Sequence, residues 1–583
     1  GFLTPVLLLL LVLCTSFVSG SSVTIKTADQ LIALFAKETG AALTRDIELE
    51  ADLDFNSLTV KLTDPLGRKS QEECTAYQGV FHGNGHAIKG LVIDKRGNDT
   101  FTEASLFCTL KNAAIENLVI DESCFFAGSN AGALSVLALE SANITNVTNK
   151  ASIVTKANSA GFIGMMGFVS FGITLWFTDC VNEGNVNASG GNIGGFIGYL
   201  ASSNNAAVKI LNCTNNGVIT GSSYVGGFLG FAYNNRDVSL IISNSMNNGN
   251  FTGSFHGGGF VGAILNNTGI NIVISNCTNN GAATNSSKYI GGFVGDIELN
   301  ENILIHVANS TNYGAISGTY YLGGCIGALN NNTNITASNI FNFTNHADVS
   351  GHNFVGGIFG AIEKCYNAFV EINLNVNTGA IKGVYNIGGI VGKLQAAIEI
   401  SATLNNNKNS GSVSGESYIG GLIGIVLSSS SKNSLTLTVA NSANKGFIEA
   451  SNEIACGLYC GDRSQFFQVT SSVANSINRG KVTGKMAAYG ITNKAPMANN
   501  SIVNIGEVTN QSDYYTFWPC DIEGDADTLY GMEKTCVNCP KNTTFFVRDT
   551  TDGLYKTNGT NERVDELLNR ESHNRNYGAE WSN

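Results

Sequence analysis

Apolar and small residues recur along this chain in one short motif: an apolar residue, two small residues, two apolar residues and a glycine. It reads Ile193-Gly-Gly-Phe-Ile-Gly198 and Val225-Gly-Gly-Phe-Leu-Gly230, and it continues to Ile419-Gly-Gly-Leu-Ile-Gly424. The second glycine lies at positions 195, 227, 259, 292, 324, 357, 389 and 421, so each step is 32 or 33 residues. Such a period predicts a solenoid, in which each unit buries its apolar face by stacking on its neighbours.

Asparagine recurs with the same period, about ten residues before each glycine pair. The inner column comprises Asn149, Asn182, Asn215, Asn247, Asn279, Asn312, Asn345, Asn377, Asn409, Asn444 and Asn478. An outer column precedes it by three residues, as at Asn212 and Asn276. Asparagine tolerates left-handed backbone, and stacked amides can bond to one another at the strand spacing of about 4.8 Å. We therefore expect a structural asparagine ladder, in which Asn212 and Asn276 would be occupied and would be poor glycan acceptors.

Three strand-like segments are predicted in each unit: an alternating segment before the asparagine turn, a short one after it, and the glycine-pair segment. The expected fold is all-β, a right-handed parallel β-helix with coils of about 32 residues. A β-propeller is the alternative, but a blade needs four strands and typically about 40 residues.

The chain divides into five predicted regions. Residues 1–20 contain the apolar run from Val6 to Leu13 followed by small residues, which is typical of a signal peptide. Residues 21–130 are expected to form the N-terminal cap and first coils, where Thr27 and Gln30 match a capping box that opens a helix. The repeats fill 131–510, an irregular cysteine-containing region follows over 511–560, and 561–583 is predicted to be a mobile tail.

The composition changes the expected partners more than the fold. Charged residues make up 13% and the net charge is −12, which argues against a nucleic-acid partner. No stretch after the predicted signal has the roughly 18 apolar residues of a membrane helix, so membrane contact is expected only through an anchor not visible here. We expect a secreted or cell-surface protein whose partner is an extracellular protein or glycan.

Export permits disulfides and glycosylation. The candidate disulfide cysteines are Cys456, Cys460, Cys520, Cys536 and Cys539. Cys180 and Cys213 share a column on adjacent coils, at a separation compatible with a disulfide, but buried thiols are favoured there. The candidate glycosylation asparagines are Asn98, Asn143, Asn187, Asn266 and Asn542.

No catalytic, cofactor-binding or metal-binding residue is predicted. The acids of the repeats are expected to share no common column; they are Asp237, Asp296, Glu298, Asp348, Glu363 and Glu371. The acidic segment 521–527 has the alternation of a calcium loop but lacks its glycine and its final glutamate, so a solvated loop is favoured. Cys536 and Cys539 with Cys520 favour a disulfide pattern over a metal site.

Aromatic residues occupy the column immediately before the apolar residue of the motif: Tyr224, Tyr289, Tyr321, Phe354 and Tyr418. An exposed aromatic row could face a ligand, such as sugar rings or a partner protein. Stacked aromatics also stabilise the edge of a solenoid, and that structural interpretation is the favoured one.

The Gly-Gly-Phe-Val-Gly core and its spacing resemble the GLUG-repeat family, as does the opening segment from Phe81 to Ile93. The resemblance covers about residues 23–510. It implies a secreted or surface β-helical protein of the kind found in protists and bacteria. The peptidase domain of some bacterial members does not carry over, because no HExxH motif occurs.

The expected function is therefore that of a non-catalytic, secreted or cell-surface repeat protein. Its extended glycosylated surface would serve adhesion or host and coat interaction. The alternative is a polysaccharide-active lyase or hydrolase on the same scaffold, which would need clustered acids on one face.

Overall fold

The chain forms an all-β parallel solenoid of about thirteen coils, and this confirms the predicted β-helix. The computed structural model describes residues 22–38, 40, 42–70, 73–96, 103–167, 172, 174–283, 288–428, 434–466, 469–492, 502–504, 506, 508–510, 529–530, 546–549 and 553–556. Equivalent strands of successive coils pair in parallel and in register, as in Ile193↔Val225 and Ile290↔Leu322.

Each coil contributes one strand to a glycine-pair sheet of thirteen strands. These strands are Glu103–Ala104, Asn130–Gly132, Ser159–Ala160, Gly191–Gly194, Ser223–Gly226, Phe255–Gly258, Lys288–Gly291, Tyr320–Gly323, Asn353–Gly356, Tyr385–Gly388, Ser417–Gly420, Ile454–Cys456 and Ala487–Tyr489.

A second sheet is formed by the strands that follow the asparagine turns. It consists of a run of six strands and a run of seven, and isolated β-bridges at Ala283 connect the two runs. Its strands are Val92–Asp94, Phe125–Gly128, Ser152–Thr155, Val186–Ala188, Ile219–Thr220, Phe251–Thr252, Ile316–Ser317, Val349–Ser350, Ile381–Lys382, Val413–Gly415, Ile448–Ala450, Val482–Gly484 and Val508–Asn510.

The third and broadest sheet carries the segments between the glycine pair and the asparagine turn. Its strands in the coils are Phe107–Leu110, Ala113–Ile120, Ser135–Ala138, Ala142–Asn149, Ile163–Gly167, Thr174–Thr178, Val181–Asn182, Ile197–Ala201, Ala207–Leu211, Thr214–Asn215, Leu229–Tyr233, Ser239–Ser243, Met246–Asn247, Val261–Leu265, Asn271–Ser275, Thr278–Asn279, Val294–Glu298, Glu301–Asn312, Ile326–Asn330, Thr333–Asn345, Phe359–Asn373, Val376–Asn377, Val391–Asn405, Lys408–Asn409, Ile423–Ser428, Leu435–Ala440, Ala443–Asn444, Tyr459–Phe466, Val469–Ala474, Ser476–Asn478 and Ile502–Asn504.

The expectation of three strands per coil was wrong, because the glycine-pair segment is two strands separated by a sharp bend. In one coil Ser223–Gly226 belongs to the glycine-pair sheet, whereas Leu229–Tyr233 belongs to the broad sheet. A Cβ on Gly227 would lie 2.1 Å from the carbonyl oxygen of Gly259 and 2.5 Å from Asn247 Oδ1. Only glycine fits this bend, because the next coil and the asparagine turn occupy the space of a side chain.

Apolar side chains fill the interior of the coils. The predicted inward column from Ile193 and Val225 to Ile419 is fully buried. Phe196, Phe228, Phe260 and Phe293 stack next to it, with ring centroids 4.6–4.9 Å apart. Each coil thus buries its apolar residues against its two neighbours, as the repeat period predicts.

A helix closes the N-terminal end of this core. Helix α1 spans Ala28–Lys37, and the capping box of Thr27 and Gln30 is present as predicted. Its buried face carries Phe35, whose ring lies 6.1 Å from that of Tyr77 and 5.9 Å from that of Phe107. Seven further strands build this end: Val23–Ile25, Ala42–Leu43, Ile47–Leu49, Leu53–Asp54, Ala76–Tyr77, Val80–His82 and Ala87–Lys89, with a 3-10 turn over Phe55–Ser57.

At the other end of the chain, strand Leu529–Tyr530 pairs with Ile502–Asn504 in parallel. An antiparallel hairpin joins Phe546–Asp549 to Gly553–Lys556. The predicted signal peptide and tail lie outside the described residues. Within the part of the chain that the structure describes, no helix has the length and apolar character needed to cross a bilayer.

Candidate functional site

The inner asparagine column forms a continuous buried ladder, as predicted. From Asn149 to Asn478, each Nδ2 donates to the Oδ1 of the next asparagine over 2.8–2.9 Å, and the last bond reaches Asn504. Nδ2 also donates its other hydrogen to the backbone carbonyl two residues later; Asn279, for example, donates to the carbonyl oxygen of Gly281. All eleven side chains are fully buried, so this ladder stabilises the coils and offers nothing to a ligand.

A second buried ladder escaped the sequence analysis. It lies where the broad sheet bends, and it joins Asn235, Asn267, Asn300 and Asn332 through Nδ2 to Oδ1 bonds of 2.8–3.0 Å. Its members are 32 or 33 residues apart, so the same period would have revealed it. The residue before each member has a positive φ, as at Asn234 and Asn266, which turns the chain into the corner.

The outer asparagine column is exposed, and the expectation that Asn212 and Asn276 would be occupied inside the stack was wrong. Each has a positive φ, 55° and 54°, which points the side chain outward while the residue three positions later points inward. Asn276 Nδ2 still donates to Asn244 Oδ1 over 3.2 Å, but at the surface. We therefore no longer expect poor glycan acceptance on the ground of burial.

A parallel exposed file runs beside the inner ladder at the next position along the chain. Asn280 Nδ2 donates to Asn248 Oδ1, and Asn248 Nδ2 donates to Asn216 Oδ1, both over 2.8 Å. The file continues with Tyr313, whose ring stacks on that of His346 at 4.8 Å. We call this file and the outer column together the Asn corner: a ridge of exposed amides and rings that repeats once per coil.

The aromatic column is a continuous stack, which we call the ring file: Tyr224, His256, Tyr289, Tyr321 and Phe354. Successive ring centroids are 4.6–4.9 Å apart, and the first four rings are parallel within 18°. Every member has a φ between 51° and 60°, a strained region for bulky residues. This backbone folds each ring over the outer side of the broad sheet, above small buried residues such as Ala263, Ala328 and Ala361.

Both ends of the ring file are covered. Phe231 stacks on Tyr224 with ring centroids 4.0 Å apart, and Lys393 Nζ lies 4.7 Å from the centroid of Phe354. A sugar ring binds an aromatic side chain through its face, and here the faces contact one another. The ligand-facing role of these residues stays a prediction. Because the ring faces are stacked, only ring edges and hydroxyl groups are accessible to a ligand. Tyr418, beyond the interruption at Asn386, instead packs against the Cys456 and Cys460 cluster.

Ionisable side chains lie beneath the ring file. His256 Nδ1 is 3.2 Å from Oδ2 of the fully buried Asp296, yet neither group has a well-aligned hydrogen bond among the described residues. Burial raises the pKa of Asp296 to about 6, and His256 lowers it in part. Burial, with Asp296 and Glu298 close by, also raises the pKa of Tyr224 and Tyr289.

The expectation that the acids share no column was wrong for one pair. Glu298 pairs with Asn330, and Asn330 pairs with Glu363, so these positions form one column over three coils. Glu363 is 1% exposed; it forms an ion pair with Lys393 and accepts a hydrogen bond of 3.0 Å from the Tyr321 hydroxyl. The offset of six residues from the second glycine, common to positions 298 and 363, was visible in the sequence.

The cysteines divide into two disulfides and a set of buried thiols. Cys456 pairs with Cys460 as predicted, and Cys74 pairs with Cys108, which the sequence analysis missed. Cys180 and Cys213 are free and buried, as expected, together with Cys124, Cys277, Cys325 and Cys365. Burial raises the pKa of Cys277 and of Cys365 to about 12, which makes both thiols poor nucleophiles. Cys520, Cys536 and Cys539 lie outside the described residues.

Three of the five candidate glycan acceptors lie among the described residues. Asn187 and Asn266 are exposed, Asn143 is half-buried, and Asn98 and Asn542 lie outside the described residues. The acidic segment 521–527 is likewise outside them. Among the residues that the structure does describe, no group of three or more His, Cys, Asp and Glu side chains could hold a metal ion.

Comparisons with known proteins add little to this geometry. No family model matches the chain, and no curated protein matches it. One solved structure that resembles it is of a putative immunoglobulin A1 protease from Bacteroides ovatus. The two share 17% identity with a TM-score of 0.27, over 56% of this chain and 74% of the other. A likeness of this size carries no argument about activity.

Proposed function

We propose that this chain is a non-catalytic, secreted or cell-surface β-helical protein whose Asn corner mediates adhesion or host and coat interaction. The observation that supports this proposal is the regular repetition of the Asn corner. Its exposed amides hydrogen bond from coil to coil and recur at about 4.8 Å along the solenoid. A rigid, regular row of donors and acceptors suits a partner that is itself repetitive, such as a glycan polymer.

Two features support an extracellular location. The Cys74–Cys108 and Cys456–Cys460 disulfides fit an oxidising compartment. The apolar segment at the start of the sequence fits a signal peptide. The GLUG-repeat assignment belongs to the same proposal, and it rests on the many copies of the glycine-pair motif.

The non-catalytic part of the proposal rests on the burial of Asp296 and Glu363. Asp296 is fully buried beneath His256, and Glu363 is buried against Lys393 and Tyr321. A polymer could not reach either carboxylate without displacing the ring file. Side chains already held in this way suit a structural role better than proton transfer to a bound sugar.

The polysaccharide-active alternative has one observation in its favour. Glu298 and Glu363 are two coils apart in one column, which is about 10 Å and close to the carboxylate separation of inverting glycosidases. Incubating the full chain with polysaccharides and measuring released reducing ends tests this alternative. Depolymerisation that Glu298→Gln and Glu363→Gln both abolish would overturn the non-catalytic proposal.

The adhesion proposal is tested on glycan and extracellular-protein arrays with the full chain. We expect at least one class of polymer to bind, and binding to fall at least tenfold in the double variant Asn248→Arg, Asn280→Arg. Lys382→Glu, at an exposed position on a strand of another sheet, is the control and should bind as the parent does. Binding that survives the Asn248 and Asn280 substitutions would rule out the Asn corner as the contact surface.

A further inference from the structure

One face of the solenoid is broad and almost uncharged. It consists of the outward positions of ten consecutive strand segments in the broad sheet, and we call it the flat face. The segments are Thr174–Thr178, Ala207–Leu211, Ser239–Ser243, Asn271–Ser275, 304–308, 337–341, 369–373, 401–405, Leu435–Ala440 and Val469–Ala474. Its central column runs from Trp176 through Lys209 and Glu371 to Ser472.

The flat face carries large apolar side chains that stay partly exposed in the single chain. Trp176, Leu304, Phe341 and Phe369 lie on it and are each between 36% and 41% exposed. The inner ladder runs beside all ten segments, and the second ladder of four asparagines runs along part of the other side. Side-chain ladders of this kind favour an untwisted sheet. The first eight of these strands pair with one another in the arrangement proposed here; at about 4.8 Å apart and with three columns of side chains, they give a patch of about 38 by 20 Å, or about 760 Å². That area matches the roughly 800 Å² that each partner buries in a stable protein interface.

The few ionisable groups of this face are arranged symmetrically. They are Lys209, His306 and Glu371. All three lie in the central column, on the second, fifth and seventh of the ten segments respectively. A twofold axis between the segments of Val273 and His306 exchanges the second segment with the seventh. It therefore places Lys209 of one copy opposite Glu371 of the other, twice. Neither side chain forms an ion pair within the described part of its own chain, and Lys209 Nζ lies 4.6 Å from the centroid of the Trp176 ring.

The same axis matches large side chains with small ones. Phe369 lies opposite Ala207, Phe341 opposite Ser243, and Trp176 opposite Thr403. An isologous interface requires this kind of self-complementarity, because one patch must fit a copy of itself. We propose that the flat face is a dimer interface, on which a second copy of this chain packs antiparallel through the Lys209 and Glu371 pairs. The flat face adjoins the Asn corner, since Ser243 is followed by Asn244, but it shares no residue with the corner. The dimer proposal does not depend on the proposed function.

Sedimentation of the full chain over a concentration series tests the proposal. The parent is expected to dimerise. Lys209→Glu alone and Glu371→Lys alone should each raise the dimer dissociation constant at least tenfold, because like charges then face one another. The double variant Lys209→Glu, Glu371→Lys should restore the dimer, and an equimolar mixture of the two single variants should form a heterodimer.

Several results would overturn the proposal. A parent chain that stays monomeric at 100 μM, or a dimer that both single variants leave intact, excludes the flat face as the interface. Failure of the charge-swapped double variant to dimerise, with an unchanged circular dichroism spectrum, excludes the Lys209 and Glu371 pairing. Lys382→Glu, which makes the same charge change at an exposed position on a strand of another sheet, is the control and should dimerise as the parent does.

Discussion

At the scale of single residues, the asparagine side chain has different roles according to whether the backbone directs it outward or into the core. The outer asparagines adopt left-handed backbone at the surface, and the inner asparagines three positions later are fully buried. Both sets bond from coil to coil at similar lengths. Burial therefore decides the energetic weight of each bond, because a buried polar group that loses its partner is not rehydrated.

Substitution of a single ladder asparagine tests this difference. Asn279→Ala leaves Asn247 Nδ2 without its acceptor and Asn312 Oδ1 without its donor, both buried. We expect the free energy of unfolding to fall by about 2–4 kcal/mol, as judged from urea denaturation. Asn280→Ala removes a bond of the same 2.8 Å length at the surface and should cost about 0.5 kcal/mol or less. Equal losses in the two variants would contradict this account.

Asp296 makes stability depend on pH. Because burial raises its pKa in the folded state to about 6, folding favours the protonated carboxyl. The stability that this provides is fully present below the unfolded pKa of about 4, and it is lost as the pH rises through 6. Asp296→Asn removes the titration, so the variant should match the parent near pH 4.

At pH 8 the same variant should be more stable than the parent by up to about 3 kcal/mol. The difference in stability between Asp296→Asn and the parent is measured from denaturation midpoints between pH 4 and pH 8. The exposed Asp237→Asn is the control, with a change of about 0.5 kcal/mol or less throughout. A parent that is more stable than Asp296→Asn at pH 8 would show that the contact with His256 outweighs the burial.

At the scale of elements, the glycine pair and the asparagine turn are two halves of one contact. The Cβ position of each second glycine is filled by the inner asparagine about twenty residues later, as Gly259 and Asn279 show. The strand before the bend and the ladder across the core can approach only because no side chain stands between them. The two constant features of the repeat therefore have a common cause.

Gly259→Ala should break this contact. Its Cβ would lie 2.2 Å from the carbonyl oxygen of Gly292 and 2.4 Å from Asn279 Oδ1, both held by the ladder. We expect a loss of about 3 kcal/mol or more in the free energy of unfolding. Gly191→Ala is the matched control, because the next coil carries Ser223 at that position, and the loss there should stay below about 1 kcal/mol. Similar losses at Gly191 and Gly259 would contradict the proposed contact.

At the scale of the whole molecule, the coils are interchangeable units that contact only their neighbours. Residues 193–224 make one coil, because Ile193 and Val225 occupy the same register position. Deleting these 32 residues should leave a shorter solenoid in which Asn182 bonds directly to Asn247. We expect a cooperative melt and a parallel-β circular dichroism spectrum for this variant.

Deleting residues 209–224 is the control for that experiment. It removes half a coil, including Asn215, so residues 193–208 are left without an asparagine turn and cannot complete a coil. The strands on the two sides of the junction can then no longer pair in register, so this variant should aggregate or lose its cooperative melt. A cooperative melt in both deletions would show that register does not govern folding here.

The sequence by itself determined the architecture, the inner ladder, the capping helix, the Cys456–Cys460 disulfide and the burial of Cys180 and Cys213. It could do so because a one-dimensional array repeats its local physics in every coil, and periodic positions reveal which residues meet. Only the tertiary structure decided which asparagine column is exposed, how the ring faces are covered, and that Cys74 reaches Cys108. Those outcomes depend on the sign of φ at single turns and on neighbours in the irregular N-terminal coils, where no period exists to predict the contact.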